Sequence, residues 1–138
     1  NKRDDGVSPN IEFQLATNST QLIFTLYSQG SNANRLTSKY NLPARTTGTW
    51  YNLVMTYDGI NQPKLYWDSI EGAFADNVGT YVAMNDTNSS IILGTTGWDI
   101  GLFPLNGQED EVAIADKEWS QAEVDDIYAK GLVGQNLI

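Results

Sequence analysis

Short runs of alternating apolar and polar residues, each closed by turn-forming residues, recur along most of this 138-residue chain. Residues 11–17 and 22–26 carry the alternation clearly, and Asn18 and Ser19 stand between them. Alternation with a period of two places every second side chain on the same face of a β-strand. Asn and Ser favour tight turns because their side chains accept hydrogen bonds from nearby backbone groups. The pattern predicts antiparallel hairpins, the first over residues 10–28.

The most apolar run, residues 50–57, has apolar side chains on both of its faces. Such a strand needs cover on each side, so we expect it at the centre of a sheet with Trp50 in the core. Asp58 and Gly59 end it in a turn. The same reasoning predicts a polar loop over residues 29–34 and shorter strands over residues 35–39, 64–70, 80–84, 90–93 and 109–115.

A helix signal lies near the C-terminus. Ser120 is a favourable N-cap with Glu123 three residues later, which is a capping box, and Trp119 is placed as one half of a hydrophobic staple. We expect a helix over residues 121–130, closed by Gly131. Many short strands with one terminal helix predict an all-β fold, an antiparallel β-sandwich in a single domain over residues 1–138.

The composition narrows the chemistry. The chain has no Cys and no His, which excludes disulfides, cysteine nucleophiles and imidazole bases. With 8 basic and 17 acidic residues the net charge is −9, which disfavours nucleic acid and anionic membranes as partners. No apolar run is long enough to span a bilayer. Asn, Thr and Ser supply 34 residues, which favours an extracellular or surface-exposed setting.

Separated stretches of the chain resemble the signatures of laminin-G-like, concanavalin A-like lectin domains. Residues 48–59 (GTWYNLVMTYDG) and 64–68 (KLYWD) resemble the pattern G-x-W-h-x-h-x-x-T-Y-D-G … L-Y-x-D. Residues 92–94, 105–114 and 119–128 resemble the close of the same domains, which pentraxins share. The resemblance implies a concanavalin A-like jelly roll and a lectin or cell-adhesion role.

The chain departs from the family pattern in three places. Glu109 stands where the family usually has an apolar residue, and Ser69 replaces the Gly that usually follows Asp68. The family's opening strands have no counterpart, so we expect the domain over residues 1–138 to be N-terminally incomplete. A sandwich without those strands would leave an edge unpaired. We therefore expect an upstream segment or a partner chain to complete it.

The carboxylates at residues 109–111 raise the question of glycoside hydrolysis, which uses a pair of acidic groups. Glucanases of similar fold use an E-x-D-x-E arrangement that this sequence lacks, whereas Asp110 and Glu111 match the non-catalytic laminin-G-like signature. The sequence therefore predicts no enzyme, with Asp110 in a structural role.

Calcium is a plausible cofactor because hard cations bind oxygen ligands gathered from loops. Asp58, Asp99 and Asp110 are the candidate ligands. Resemblance to pentraxins places the loop over residues 97–99 near their calcium site. The alternative is that these residues are ordinary turn formers.

Protein sites for sugars commonly stack an aromatic ring on the sugar while polar groups bind its hydroxyls. Trp98, between Gly97 and Asp99, is the foremost ligand-binding candidate, with Asp99 beside it. Trp67 is the second candidate, although its alternation with Tyr66 also fits packing within a sheet.

Three functions remain open. The first is a non-catalytic recognition or adhesion module, binding a glycan, within a larger secreted or surface-exposed protein. The alternative is a structural protein–protein interaction domain of a virion or another surface assembly, and the third is a glycoside-cleaving enzyme.

Overall fold

The computed structural model describes residues 2–3, 11–28, 31–86, 91–95 and 104–132. Within these ranges, strands form two antiparallel sheets and a single helix follows them. The elements are β1 (Lys2–Arg3), β2 (Ile11–Thr17), β3 (Gln21–Ser28), β4 (Ser31–Asn41), β5 (Leu53–Thr56), β6 (Lys64–Trp67), β7 (Ile70–Glu71), β8 (Phe74–Ala75) and α1 (Gln121–Leu132). The antiparallel sheets and the C-terminal helix predicted from the sequence are confirmed.

The larger sheet has the order β1-β2-β3-β4-β8. Its centre is the hairpin predicted over residues 10–28, formed by β2 and β3. Asn18 makes the turn between them, because its side-chain oxygen Oδ1 accepts hydrogen bonds from the backbone N–H of Thr20 (2.8 Å) and Gln21 (2.7 Å). A carboxamide that binds the backbone two and three residues ahead fixes a tight turn.

Strand β4 is longer than the sequence predicts. The predicted strand covered residues 35–39 after a polar loop over residues 29–34, whereas β4 begins at Ser31. The start of β4 is still paired with β3: Tyr27 pairs with Arg35 and, after a shift in register that passes over residues 32–34, Ser28 pairs with Ser31. Pairing across the hairpin outweighs the low strand propensity of the segment.

The smaller sheet has the order β5-β6-β7 and is covered on both faces. On one face Leu65, which is fully buried, joins Leu22, Phe24 and other residues of the larger sheet in the main core, with Met55 packed against it. The opposite face packs on α1 in a second cluster formed by Val54, Tyr66, Val124 and Trp119. Within residues 50–57, cover on both faces is therefore confirmed for Val54 and Met55.

A buried polar link joins the two sheets. The hydroxyl of Ser38, on β4, donates a hydrogen bond to the carbonyl oxygen of Pro63 (2.6 Å), next to β6. The amide Nε2 of Gln62 donates to Ser38 Oγ (2.7 Å) and to the carbonyl oxygen of Thr37 (2.7 Å). Ser38 has no exposed surface, so these bonds satisfy a hydroxyl that would otherwise be costly to bury.

The lateral position of residues 50–57 differs from the prediction. Only residues 53–56 form a strand, and β5 lies at the end of its sheet within the described chain. Trp50 is 62% exposed, so its predicted place in the core is wrong. Residues 109–115, predicted as a strand, form none and pair with no strand in the described chain.

Two other predicted strands are also absent from the described residues. Residues 80–84 form no strand, although a bridge joins Met84 to Ser28 and the backbone N–H of Thr80 donates a hydrogen bond to Asn34 Oδ1 (3.0 Å) on β4. Residues 91–93, which are the described part of the predicted strand over residues 90–93, run outside any strand. Alternation alone did not give either segment a continuous ladder of pairs in the described chain.

Helix α1 begins as the sequence predicts. The carboxylate oxygen Oε2 of Glu123 accepts hydrogen bonds from the backbone N–H and the hydroxyl of Ser120, each at 2.8 Å, which is the predicted capping box. Trp119 packs in the same cluster as Val124, which confirms the staple. The helix continues through Gly131 to Leu132, so the prediction that Gly131 closes it is wrong. No helix formed by the described residues has the length and hydrophobicity that crossing a bilayer requires.

Candidate functional site

A surface depression of about 220 Å³ lies where the end of β4 runs beside the approach to β8. Ligand sites for drug-sized molecules have volumes of roughly 300–1,000 Å³, so this depression has room for one small ring rather than a large ligand. Its lining residues are Lys39, Tyr40, Asn41, Gly72, Ala73 and Phe74. We call it the β4–β8 depression.

The pairing of β4 with β8 positions the lining side chains. Lys39 is directly opposite Phe74 in the register, so the two share a face of the sheet. Gly72 allows the chain to pass close to β4, because a Cβ atom at this position would lie 2.7 Å from the ring carbon Cε2 of Tyr40. Its backbone N–H is anchored to the carbonyl oxygen of Leu65 (3.0 Å). The absence of a side chain at residue 72 is therefore a requirement of this wall.

The depression combines aromatic surface with an amide. Phe74 is 42% exposed although it lies in a strand. Asn41 is also exposed, and its Oδ1 accepts a hydrogen bond from Gln21 Nε2 (3.3 Å). Its amide nitrogen has no hydrogen-bond partner among the described residues. An exposed ring beside a carboxamide can stack on an apolar surface and bind hydroxyls at its edge.

The charge at this site is internally compensated. The ammonium group of Lys39 donates a hydrogen bond to the carboxylate of Asp76, and this bond is the largest cause that lowers the pKa of Asp76 below its ordinary value. The lysine side chain is 22% exposed and the aspartate 49%. The depression therefore contains an ion pair rather than a free cation.

The sequence candidate Trp67 is a core residue in the structure. Its side chain is only 6% exposed, and its ring centroid lies 4.7 Å from that of Tyr51. A ring enclosed in this way offers no face to a sugar, which favours the sheet-packing alternative. Trp98 and Asp99, the other two ligand-binding candidates, lie outside the described residues.

Asp58 forms a turn. Its Oδ1 accepts hydrogen bonds from the backbone N–H of Ile60 (2.8 Å) and Asn61 (2.7 Å), and its Oδ2 accepts one from Asn61 Nδ2 (2.5 Å). These bonds, with the one from the Asn61 backbone largest, lower the pKa of Asp58 to about 2. Both oxygens are engaged by the turn itself, as in the turn-former alternative.

Asp110 is exposed, and its Oδ1 accepts a hydrogen bond from the backbone N–H of Glu111 (2.8 Å). Within the described ranges no three acidic side chains come together as a set of metal ligands. The third predicted calcium ligand, Asp99, lies outside those ranges. Asp58 and Asp110 therefore do not assemble a calcium cage in the described chain, and calcium stays a prediction.

Sequence reasoning did not select Tyr40, Asn41 or Phe74. Phe74 carried a usable signal, since it is an aromatic residue between Gly72 and Asp76 in a segment without clear alternation. Tyr40 and Asn41 carried none, because they directly follow the strand predicted over residues 35–39. Only the pairing of two distant segments brings these residues together.

The stacked antiparallel sheets with a terminal helix place the chain in the class of concanavalin A-like β-proteins. Residues 2–125 match the family model described as the concanavalin A-like lectin/glucanases superfamily, of laminin-G type, and the chain belongs to this family. The resemblance seen in residues 48–59 and 105–114 is thereby confirmed. Comparisons with curated proteins and with solved structures return no match.

Proposed function

We propose that this domain is a non-catalytic recognition or adhesion module that binds glycans through the β4–β8 depression. Domains of this superfamily often bind carbohydrate or protein. The observation that carries the proposal is the exposed ring of Phe74 in the same depression as the amide nitrogen of Asn41, which has no hydrogen-bond partner among the described residues. A secreted or surface-exposed parent protein, as the composition predicts, is part of the proposal.

A pyranose has an apolar face and a rim of hydroxyls, and the depression offers a group for each. Phe74 supplies a flat apolar surface with few rotatable bonds, so little side-chain entropy is lost when the ring is covered. Asn41 supplies a donor at the rim, and hydroxyls both donate and accept hydrogen bonds. The small volume favours one sugar ring at a time.

A catalytic role has less support. A glycosidase of the usual kind needs a carboxylic acid whose pKa is raised. Where the pKa of a carboxyl group is shifted in the described chain, at Asp58, Asp76 and Glu123, it is lowered. If the wild-type protein hydrolysed a glycan and the Glu111→Gln variant did not, the result would favour the enzyme instead.

The test is a glycan array, followed by tryptophan fluorescence on each positive glycan. We expect specific binding that falls about tenfold or more in Phe74→Ala, since each tenfold change needs only about 1.4 kcal/mol. Trp50→Ala is the matched control, because it removes another exposed aromatic ring that does not line the depression. Trp98→Ala tests the loop candidate in the same assay.

Two results would contradict the proposal. Absence of any specific glycan would refute glycan recognition itself. Binding that is lost in Trp98→Ala or Trp50→Ala and kept in Phe74→Ala would move the site away from the depression. Calcium is tested in the same titrations, by comparing binding in calcium with binding in a chelator.

The second candidate is a protein–protein interaction domain, and a separate observation favours it. Apolar side chains more than half exposed are Trp50, Ile60, Ile70, Val82, Leu93, Val112, Ile114 and Leu132. A contiguous exposed apolar patch commonly marks an interaction surface, so this candidate requires that several of these side chains adjoin. An upstream segment or a partner chain that covers these side chains, as the sequence predicts, belongs to this candidate.

Sedimentation over a range of concentrations tests the second candidate. Association that Ile114→Asp weakens would support it, because Ile114 is 67% exposed and its replacement removes apolar contact without disturbing the core. A chain that stays monomeric at every concentration and binds a specific glycan would count against it.

A further inference from the structure

We propose that the β4–β8 depression selects neutral sugars over anionic ones, and that Asp76 is the residue that sets this preference. The inference rests on the proposed function, since it assigns the ligand class of the same site. It concerns the charge of the ligand, which the proposed function leaves open.

The charged residue in the lining already has a partner within the protein. Of the six residues that line the depression, Lys39 alone carries a charge. Its ammonium group is bound to the carboxylate of Asp76, which lies just beyond β8. A sugar carboxylate or sulfate would have to compete with this intramolecular partner for the lysine.

Asp76 is a negative charge held in place next to the depression. Its backbone N–H donates a hydrogen bond to the carbonyl oxygen of Thr37 (3.0 Å), which holds the residue beside β4. Lys39 and, to a smaller extent, Arg35 keep its pKa below the ordinary value, so the carboxylate is ionised at neutral pH. A fixed anion next to the depression repels a second anion, and the net charge of −9 adds to that repulsion.

The polar and aromatic groups at the depression are suited to an uncharged ligand. An ion pair at the rim presents both acceptor oxygens and ammonium hydrogens, which match a hydroxyl that can donate and accept. Asn41 adds an amide donor, and Phe74 adds an uncharged ring. Every one of these groups suits a neutral pyranose.

Asp76→Asn separates this preference from sugar binding itself. The substitution keeps the size of the side chain and the backbone bond to Thr37, but it removes the carboxylate that occupies Lys39. The lysine then becomes available to an anionic ligand, and a charge-assisted hydrogen bond is the stronger kind. We expect Asp76→Asn to gain uronate binding, so that the preference for the neutral sugar falls.

The experiment uses methyl glycosides in matched pairs, each a neutral hexoside and the uronate that differs from it only at C6. The pairs are the glucoside with the glucuronide, the galactoside with the galacturonide, and the mannoside with the mannuronide. Binding is followed through the backbone amide signals of residues 39–41. For wild type we expect the neutral member of at least one pair to bind about tenfold or more tightly.

In Asp76→Asn we expect that ratio to fall by about tenfold or more. Asp126→Asn is the matched control, because it breaks an ion pair of similar exposure with Lys130 (2.7 Å) on α1 and changes the net charge equally. The ratio should stay as in wild type there. Adding Lys39→Met to Asp76→Asn should remove the gained uronate binding.

The two hypotheses fail differently. A wild-type protein that binds the uronates as tightly as the neutral sugars overturns the assignment of ligand class and leaves glycan recognition standing. An unchanged ratio in Asp76→Asn overturns the role of Asp76. Absence of binding to both members of every pair overturns the depression as a sugar site, and the charge preference with it.

Discussion

The turn between β6 and β7 is strained at Ser69, and a glycine at that position would relieve the strain. Asp68 and Ser69 form its two central residues, and both have positive φ, 49° and 63°. Strands joined by two residues of this conformation form a type I′ hairpin, for which Asp-Gly is among the favoured pairs. Asp68 is held by two bonds to Asn52: its N–H donates to the Asn52 carbonyl (2.9 Å), and its Oδ1 accepts from the Asn52 N–H (2.8 Å). The side chain of Ser69 makes no comparable hydrogen bond within the described residues.

Replacing Ser69 with Gly should therefore stabilise the protein. The left-handed conformation costs an ordinary residue roughly 1–2 kcal/mol, and the greater freedom of Gly in the unfolded chain takes back about 0.5–1 kcal/mol. The net gain is about 0.5–1 kcal/mol. With an unfolding entropy of about 0.3 kcal/mol/K for a domain of this length, the thermal midpoint should rise by about 2–3 °C. The carbonyl of residue 69, which accepts a hydrogen bond from Gln121 Nε2 (2.9 Å), is unaffected.

The assay is thermal unfolding followed by circular dichroism at neutral pH. Ser19→Gly is the matched control, since Ser19 is an exposed turn serine whose φ is not positive. That substitution should leave the midpoint unchanged or lower it. A midpoint for Ser69→Gly that falls as far as the control would refute the reasoning, because backbone strain would then contribute nothing at this turn.

Three further outcomes follow from contacts described above. Gly72→Ala should cost about 1–3 kcal/mol in the free energy of unfolding and weaken glycan binding, because its Cβ would collide with the ring of Tyr40; an unchanged midpoint would contradict this. Ser38→Ala should cost about 1–3 kcal/mol, measured by urea unfolding, because the buried carbonyl of Pro63 loses its donor; a change below the error of the assay would contradict it. The pKa of Glu123 is lowered from 4.5 to about 2, chiefly by the hydrogen bond from Lys117, so its contribution to stability is present above pH 4.5 and is lost as the pH falls toward 2. The thermal midpoints of wild type and Glu123→Gln should therefore differ at pH 7 and converge near pH 2, whereas a constant difference would contradict the prediction.

Features that depend on neighbours in sequence were predictable. The capping box of Ser120 and Glu123, the Asn18 turn and the β2–β3 hairpin each rest on groups a few residues apart, so local patterns contain the needed information. The match over residues 2–125 adds that the family signatures were also readable.

Features that depend on distant pairing were not. Alternation over residues 109–115 fits a strand, but a strand exists only with a partner, and the described chain gives it none. Trp50 was expected in the core from a local apolar pattern of the same kind, but it precedes β5 and is exposed. The β4–β8 depression combines residues 39–41 with residues 72–74, and no periodicity in either segment announces that meeting.

The alternation around Trp67 was correctly read but could not be resolved. A period of two shows which side chains share a face, and both faces of β6 are covered, so neither alternating set was free for a ligand. Only the three-dimensional arrangement distinguishes a buried tryptophan from an accessible one.

The hydrogen bond donated by the Ser38 hydroxyl fixes how the two sheets are positioned against each other. Apolar contact is non-directional, so hydrophobic packing by itself tolerates sliding of one layer over the other. A short hydrogen bond to Pro63 has a fixed length and direction, and only one offset satisfies it. Because residue 38 directly precedes the wall formed by residues 39–41, the same hydrogen bond holds that wall of the proposed sugar site in place against the smaller sheet.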